Sequence, residues 1–499
     1  MPYKDFWTSY PPGWFYIIAA IFKIFGTNLL VARIFDILQR FFLVICVYHI
    51  TKRITSKKLS YIVTLIIGLL IASIGSFTYA GFPAIGLSFW SILSWHKFSE
   101  THQKRWLVFS GLFLGIGATI RWDITIYAVI SILASGYLSL LSRTISNAIS
   151  QPDKNTRLSF KTFVFTIPLK VVKGDLAWII IIMFLIALSG YVTIGFMSGF
   201  GNMIQQVFYF PVIKLHQLRW LPYPPIIPTN WTLSGMIWLN FYSPIFSLMI
   251  SFFWFVYIYI VSIKKRAIPD PESFMTFSLV TFGLFLFNQA LNRSDYIHIF
   301  PALMLALMTS GAFVYKCAQM VKVFSIKYGL YILLIFIFTI NSYSAFGKLI
   351  FALIYFPPWE CYSSLDKAGC VSTDKDQTNA IQYIQNQSSI GEPIFVGNDK
   401  HDQIYINDIG FYFLSDRVSA TRFHELHTGV ATTLPVQIEI VQEVENHIAN
   451  WVILRESEFN TEPNDSGISS GVTYLDDFLK LNYHFVTEFG KYRIFRLNE

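Results

Sequence analysis

Long apolar runs alternate with short, mostly basic connections over the first two thirds of the chain, and then the pattern stops. A helix needs roughly 20 apolar residues to cross a hydrocarbon layer. Runs of that order cover Leu29 to Thr51, Ser60 to Phe77, Leu176 to Phe196, Met236 to Ile263, Phe274 to Leu291, Ile297 to Tyr315 and Tyr328 to Phe351. Phe82 to Trp95 is a shorter run. Trp106 to Leu141 is nearly continuous, and at about 1.5 Å per residue it is too long for one crossing. Arg121-Trp122-Asp123 interrupts it midway, which predicts two short helices with the triplet at the turn. These runs make ten crossings. No strand-type alternation is visible in this part, and helices are then the way to satisfy backbone polar groups in lipid.

From Glu360 onward the periods change. Asp376 to Gln387 and Leu434 to Asn450 carry helical periodicity, while Pro393 to Val396, Phe411 to Leu414, Trp451 to Leu454 and Tyr492 to Leu497 read as short strands. The sequence thus predicts an α-helical polytopic membrane protein of about ten crossings over residues 1–359. A small, extracytoplasmic α/β domain follows at residues 360–499. Within that domain Tyr412, Arg417, Arg422, His424 and His427 read as surface or packing residues.

Composition sharpens the division. The 499 residues are 54% hydrophobic and only 14% charged, against about 25% charged for soluble domains. That excludes a chain soluble throughout, a disordered chain and a nucleic-acid binder. The net charge of +8 averages two unlike parts. Up to Trp359 there are 28 Lys and Arg against 9 Asp and Glu; from Glu360 there are 10 against 21.

The basic residues also set an orientation, because Lys and Arg collect on the cytoplasmic side. Alternate connections carry 19 of them, six between Arg143 and Lys173, while the opposite connections carry 7. The start of the chain, the Arg121 turn, the Gly199 to Ser234 loop, the Asn292 turn and the acidic domain then all face outward. A chain that begins outside at Met1 needs either help from the apolar stretch Gly13 to Phe25 for insertion, or a preceding helix that this sequence does not contain.

Three carboxylates fall on the outward side: Asp5, Asp123 and Asp295. Two of them share a pattern, Arg121-Trp122-Asp123 and Arg293-Ser294-Asp295, and His298 follows Asp295 by about one helical turn. Charges at a membrane boundary are costly unless paired or solvated. Each Arg-x-Asp therefore either anchors a helix end or lines a polar cavity. Such a cavity could bind phosphate through charge-assisted hydrogen bonds and supply a general base. Asp36, between Arg33 and Arg40, reads as an intrahelical ion-pair string. Aromatics and prolines crowding the Gly199 to Ser234 loop, among them Phe210, Trp220, Pro228 and Trp231, read as an interfacial belt.

No metal signature and no Gly-rich phosphate loop is present, so the sequence calls for no cofactor, with a divalent metal left open. Cys361 and Cys370 lie nine positions apart in the exported part, which predicts a disulfide. Cys46 and Cys317 read as plain packing residues within the membrane part.

The opening reads Tyr3-Lys4-Asp5, then Pro11-Pro12-Gly13, an apolar stretch closed by Phe25-Gly26, and an early Arg33. It resembles the outer-loop region of multi-pass membrane glycosyltransferases that use polyprenyl-phosphate sugars, the superfamily of protein O-mannosyltransferases and lipid A aminoarabinose transferases. Asn292-Arg293-Ser294-Asp295-Tyr296-Ile297-His298-Ile299-Phe300-Pro301 is similar to their late outer turn. In that superfamily the base is usually an acid of the first outer loop, often in an acidic pair upstream of the Pro-Pro motif, and this sequence starts after that pair.

The resemblance implies inverting transfer of a sugar from a polyprenyl-phosphate donor to a hydroxyl of a glycan, lipid or protein, at the outer face of the plasma (inner) membrane. Asp5 and Asp123 are then the base candidates. Arg121, Arg293 and His298 would hold the phosphate, with Asp295 and Tyr296 in support. The expected partners are the lipid-linked donor, the acceptor and membrane lipid, with no nucleic acid. A transporter or flippase of a lipid-linked substrate, or a non-catalytic truncated homologue, is the alternative. Internal repeats, common in transporters, are not evident.

The charge asymmetry predicts that a Ser389→Cys protein reacts with a membrane-impermeant thiol reagent in intact cells. Protection at that site, with labelling in the Lys264 connection instead, reverses the orientation.

Overall fold

The computed structural model describes residues 1–75, 79–150, 174–227, 233–265, 267–355, 360–403, 407–427, 429–456 and 462–499. Of the positions singled out in the sequence, Phe77, Pro228, Trp231, Arg266, Trp359 and the basic stretch 151–173 lie outside them. Helices α1 (Gly13–Phe25), α2 (Leu29–Ile54), α3 (Lys57–Ser73), α4 (Gly81–Thr101), α5 (Arg105–Ile120), α6 (Trp122–Ser150) and α7 (Asp175–Ser198) come first. The short α8 (Phe200–Ile204) runs through a π-helical stretch, Gln205–Lys214, into α9 (Leu215–Arg219). Helices α10 (Leu233–Lys264), α11 (Pro271–Asn292), α12 (Tyr296–Met320) and α13 (Phe324–Tyr355) complete the apolar series.

Each of the ten apolar runs forms a helix, and the Arg121 triplet separates α5 from α6. Among the described residues, six helical segments are long and apolar enough to cross a membrane, and they lie in α6, α7, α10, α11, α12 and α13. The other four predicted crossings fall on α2 to α5. Helix α2 carries Arg33, Asp36, Arg40, Lys52 and Arg53, and α3 and α5 are only 17 and 16 residues long.

The chain divides into two compact units. The helical unit comprises Asp36–Tyr191 and Tyr223–Tyr355. Close backbone approach is built into α5: a Cβ added at Gly111 or Gly115 would come within 2.7 Å of Ile182 or Ile186 of α7. This is the small-residue spacing that lets membrane helices pack by van der Waals contact. Helices α4 and α5 are joined by a buried Ser91–Ser110 hydroxyl pair at 2.7 Å. Arg40 and Asp36 are both buried and 2.8 Å apart. Arg40 also donates to the carbonyls of Ile71, Ile74 and Gly75, closing the open end of α3. The ion pair that the spacing suggested therefore also caps a neighbouring helix.

The second unit comprises Met1–Phe35, Val192–Pro222 and Phe356–Glu499. It reaches beyond the 360–499 segment because two distant pieces pack with it. Tyr3 is fully buried, and its hydroxyl donates to the carbonyl of Tyr10. Gln206 accepts from the Thr8 amide at 3.0 Å and donates to the Tyr3 carbonyl. Trp7 donates its amide to the Arg422 carbonyl and sets its ring edge-on to Phe210 at 4.9 Å.

The sheet of this unit has the order β2-β1-β3-β5-β4, with β1 (Pro393–Asn398), β2 (Val418–Ser419), β3 (Trp451–Arg455), β4 (Tyr483–Phe489) and β5 (Tyr492–Leu497). Strand β1 is parallel to β2 and β3, and β5 is antiparallel to β3 and β4. Alternate residues feed two cores. Ile394, Val396, Trp451 and Ile453 enter one, and Phe395 and Val452 the other. Helices cover both faces, as parallel strands require. Helix α14 (Lys375–Gln387) buries Ala380, Ile381 and Ile384, and Asp374 caps its start by accepting from the Gln377 amide. Helix α16 (Leu434–Asn446) buries Ile440, Val441 and Val444.

Phe411–Leu414, expected as a strand, lies instead in the short helix α15 (Gly410–Ser415). Phe411, Tyr412 and Leu414 are buried and Phe413 is partly buried, and a short run with little exposure does not distinguish strand from helix by its period. The strands β2 and β4, and the helix α17 (Tyr474–Asn482), were not visible in the pattern. A disulfide joins Cys361 to Cys370, while Cys46 and Cys317 are free thiols. Arg417 is buried and Arg422 pairs with Glu439 at 2.6 Å, so both serve packing and surface pairing.

A buried polar contact links the segment after β1 to α17. His401 is fully buried; its Nδ1 lies 2.7 Å from Asp476, and its amide donates to the other carboxylate oxygen. Burial pushes the Asp476 pKa up, but the His401 contacts outweigh it and hold the carboxyl below its usual range. A carboxyl depressed by folding stabilises above its unfolded pKa of about 3.9, and that contribution is lost as pH falls through the folded value. We therefore expect Asp476→Asn to lower the thermal midpoint at neutral pH, by about 1–3 kcal/mol of stability. The deficit relative to wild type should shrink below about pH 4, read by Trp fluorescence in detergent.

Candidate functional site

Two turns of the helical unit are built alike. At the first, α5 ends as the Arg121 amide donates to the Gly117 carbonyl at 2.8 Å. Asp123 follows in the first turn of α6, where a carboxylate is favoured by the exposed amides and helix dipole. Arg121 grips it with two bonds, Nε to Oδ1 at 2.9 Å and Nη2 to Oδ2 at 2.6 Å. At the second, the Arg293 amide closes α11 on the Gln289 carbonyl at 3.0 Å. Arg293 Nε then donates to Asp295 Oδ2 at 2.8 Å. Asp295 caps α12, accepting from the His298 amide at 3.0 Å, and its Oδ1 lies 2.6 Å from His298 Nδ1.

The repeated Arg-x-Asp thus has one local meaning: the arginine ends a helix, and the aspartate begins the next one. Burial opposes ionisation of Asp295, but the His298 contacts and Arg293 outweigh it and hold the carboxyl below the usual range. The arginines are mostly buried, with 17% and 16% of their side chains exposed, whereas His298 keeps 32%. Tyr296 sits in the first turn of α12, with the Lys348 ammonium 5.7 Å from its ring centre.

A residue absent from the sequence reading connects the two turns. Gln289, buried on α11 one turn before Arg293, donates its side-chain amide to Asp123 Oδ2 at 2.8 Å. It ties the start of α6 to the end of α11 and so places both guanidinium–carboxylate pairs at one end of these helices. Its signal in the sequence is an amide inside an apolar helix, four positions before an arginine.

Asp5 belongs to the other unit. It lies on an exposed turn, with 61% of its side chain accessible, and accepts from the amino group of Met1 at 2.8 Å. That hydrogen bond holds its carboxyl below the usual value. His424 and His427 are also in this unit; His424 stacks on Phe6, and His427 meets the Trp7 ring at a tilt of 54°. Burial lowers the His424 pKa, which favours a neutral packing residue.

The comparisons with known proteins bear on this geometry. Residues 9–154, which include Arg121 and Asp123, match the family described as Dolichyl-phosphate-mannose-protein mannosyltransferase. Over its whole length (100%) the chain superposes on 67% of the oligosaccharyltransferase of Archaeoglobus fulgidus, crystallised with a tethered acceptor peptide, with a TM-score of 0.50 and 13% identity. The chain shares the fold of that oligosaccharyltransferase. ArnT from Cupriavidus metallidurans, crystallised with undecaprenyl phosphate, aligns over 98% of this chain and 88% of its own, at TM-score 0.47 and 11% identity. No curated protein matches the chain. The family match covers Ser9 to Arg33 of the opening segment that carried the resemblance, and the structural likeness to the oligosaccharyltransferase agrees with it at the level of fold.

If Gln289 couples the two turns, its loss and that of Asp123 are not additive. A double-mutant cycle of Gln289→Leu and Asp123→Ala should give a coupling above about 0.5 kcal/mol in thermal stability. Strict additivity dissolves the link.

Proposed function

We propose that the protein is an inverting glycosyltransferase that takes a sugar from a polyprenyl-phosphate donor and passes it to an acceptor hydroxyl. The observation that carries this reading is the coincidence of the family match over residues 9–154 with a guanidinium–carboxylate pair at the start of α6, duplicated at the start of α12. In the reaction, the acceptor oxygen attacks the anomeric carbon as the carbon–oxygen bond to the phosphate breaks. A carboxylate takes the hydroxyl proton. Asp123 and Asp5 are the candidates, and Asp123 is the better placed, being mostly buried in the cluster that Gln289 organises.

The leaving polyprenyl phosphate gains negative charge, which preorganised donors stabilise more than they stabilise the bound donor. Arg121, Arg293 and His298 take that role. The Asp123 and Asp295 carboxylates hold the two guanidiniums in fixed orientations, so little rearrangement is needed when a phosphate arrives. Tyr296 supports the second turn from the same helix start.

The reaction faces away from the cytoplasm, as the bias of basic connections supports. The Cys361–Cys370 disulfide fits an oxidising, extracytoplasmic setting for the second unit. The acceptor is a glycan, a lipid or a protein hydroxyl, and the plasma membrane is the location.

The test is donor binding to purified protein, with a synthetic polyprenyl-phosphate sugar. Arg121→Ala and Arg293→Ala should each weaken binding about tenfold or more, since a hydrogen bond to a charged group is worth about 1.5–3 kcal/mol. Unchanged donor affinity in both variants leaves the arginines as helix anchors and removes the phosphate site.

A further inference from the structure

Outside the Arg-x-Asp turns, one cluster in the helical unit has unsettled polar chemistry. His96 and Glu100 are four residues apart on α4 and share a face. Glu272 stands in the first turn of α11. One ring nitrogen of His96 and one oxygen from each carboxylate lie within 4.8 Å of one another, the one such group of three among the described residues. His96 is 3% exposed. Its Nε2 comes within 3.1 Å of Glu100 Oε1, yet not in hydrogen-bonding geometry, so that buried nitrogen has no hydrogen-bond partner.

A buried polar atom without a partner costs free energy, and here it points toward two carboxylates. Arg53 donates to both oxygens of Glu100 at 2.7 Å and offsets one negative charge. Lys316 is taken up by the neighbouring Asp270 at 2.6 Å. The group of His96, Glu100, Glu272 and Arg53 therefore keeps a net negative charge, with the unpartnered His96 nitrogen at its buried edge. A small, mostly apolar cavity, lined by His96 with Ile92, Trp95, Phe274 and Met275 as well as serines, opens beside it.

We propose that His96, Glu100 and Glu272 bind a divalent first-row metal ion of the zinc type. One imidazole and two carboxylates form a three-ligand set that leaves a fourth, tetrahedral position to water. The imidazole disfavours calcium and magnesium, which take oxygen ligands. Arg53 then acts from outside the ligands, orienting Glu100 as hydrogen-bonded second partners of metal carboxylates do. The ion would clamp the end of α4 to the start of α11, the helix that also carries Gln289 and Arg293. The inference does not depend on the proposed sugar transfer.

The experiment uses the tag-free, full-length protein in detergent, incubated with zinc chloride and desalted. Metal content, titration calorimetry and the thermal midpoint are then measured. The wild type should retain one equivalent of zinc and melt higher with it. Glu272→Gln and His96→Gln should each bind zinc at least about 100-fold more weakly, because losing even an outer partner costs 10–100-fold, and should lose the zinc-dependent gain in midpoint. Glu272 lies at a helix start and is only partly buried, so Glu272→Gln decides the matter if His96→Gln does not fold. Failure of the folded wild type to retain zinc, or wild-type retention in either variant, overturns the site.

Discussion

A charge placed among apolar helices must find a partner within the protein, because the surroundings offer neither water nor counter-ions. This constraint accounts for much of the helical unit. Arg40 pairs with Asp36 and then spends its other donors on the open carbonyls of α3. Arg121 and Arg293 each close one helix through the backbone and hold, through the side chain, the aspartate that starts the next. The ionic groups therefore sit where helices end, since unpaired backbone groups and charged side chains satisfy one another there.

The same economy fits the phosphate site proposed for these arginines. A guanidinium already oriented by a carboxylate presents its donors in a fixed plane, which favours an oxyanion that arrives in a predictable direction. Gln289 adds order of another kind. By reaching Asp123 from α11 it joins two turns whose Arg-x-Asp triplets are 172 positions apart. The packing of α5 on α7 through Gly111 and Gly115 gives the α5–α6 turn a rigid base close by.

The second unit depends on a different balance. Its sheet is parallel at one edge and antiparallel at the other, with two apolar cores fed by alternate residues of the same strands. The opening segment and the π-helical stretch join it through Tyr3, Trp7, Gln206 and Phe210, using buried amide hydrogen bonds and ring contacts. The Tyr3-Lys4-Asp5 and Pro-Pro-Gly features that carried the resemblance are thus part of a folded body, with Asp5 at its surface.

The sequence alone determined the helical character, the positions of the ten apolar runs, the turn at Arg121 and the α/β nature of the end of the chain. All of these rest on local period, length and composition, which a hydrocarbon layer or a two-faced sheet imposes on neighbouring residues. It did not determine that Phe411–Leu414 coils into a helix, because so short a run with little exposure leaves no period to read. Nor did it reveal the Asp123–Gln289 bond, the Trp7–Phe210 contact or the grouping of His96 and Glu100 with Glu272. Each of these joins residues more than 160 positions apart. Only tertiary packing brings such polar groups within bonding distance, and the cost of leaving them unpaired in an apolar interior is what makes the pairing specific.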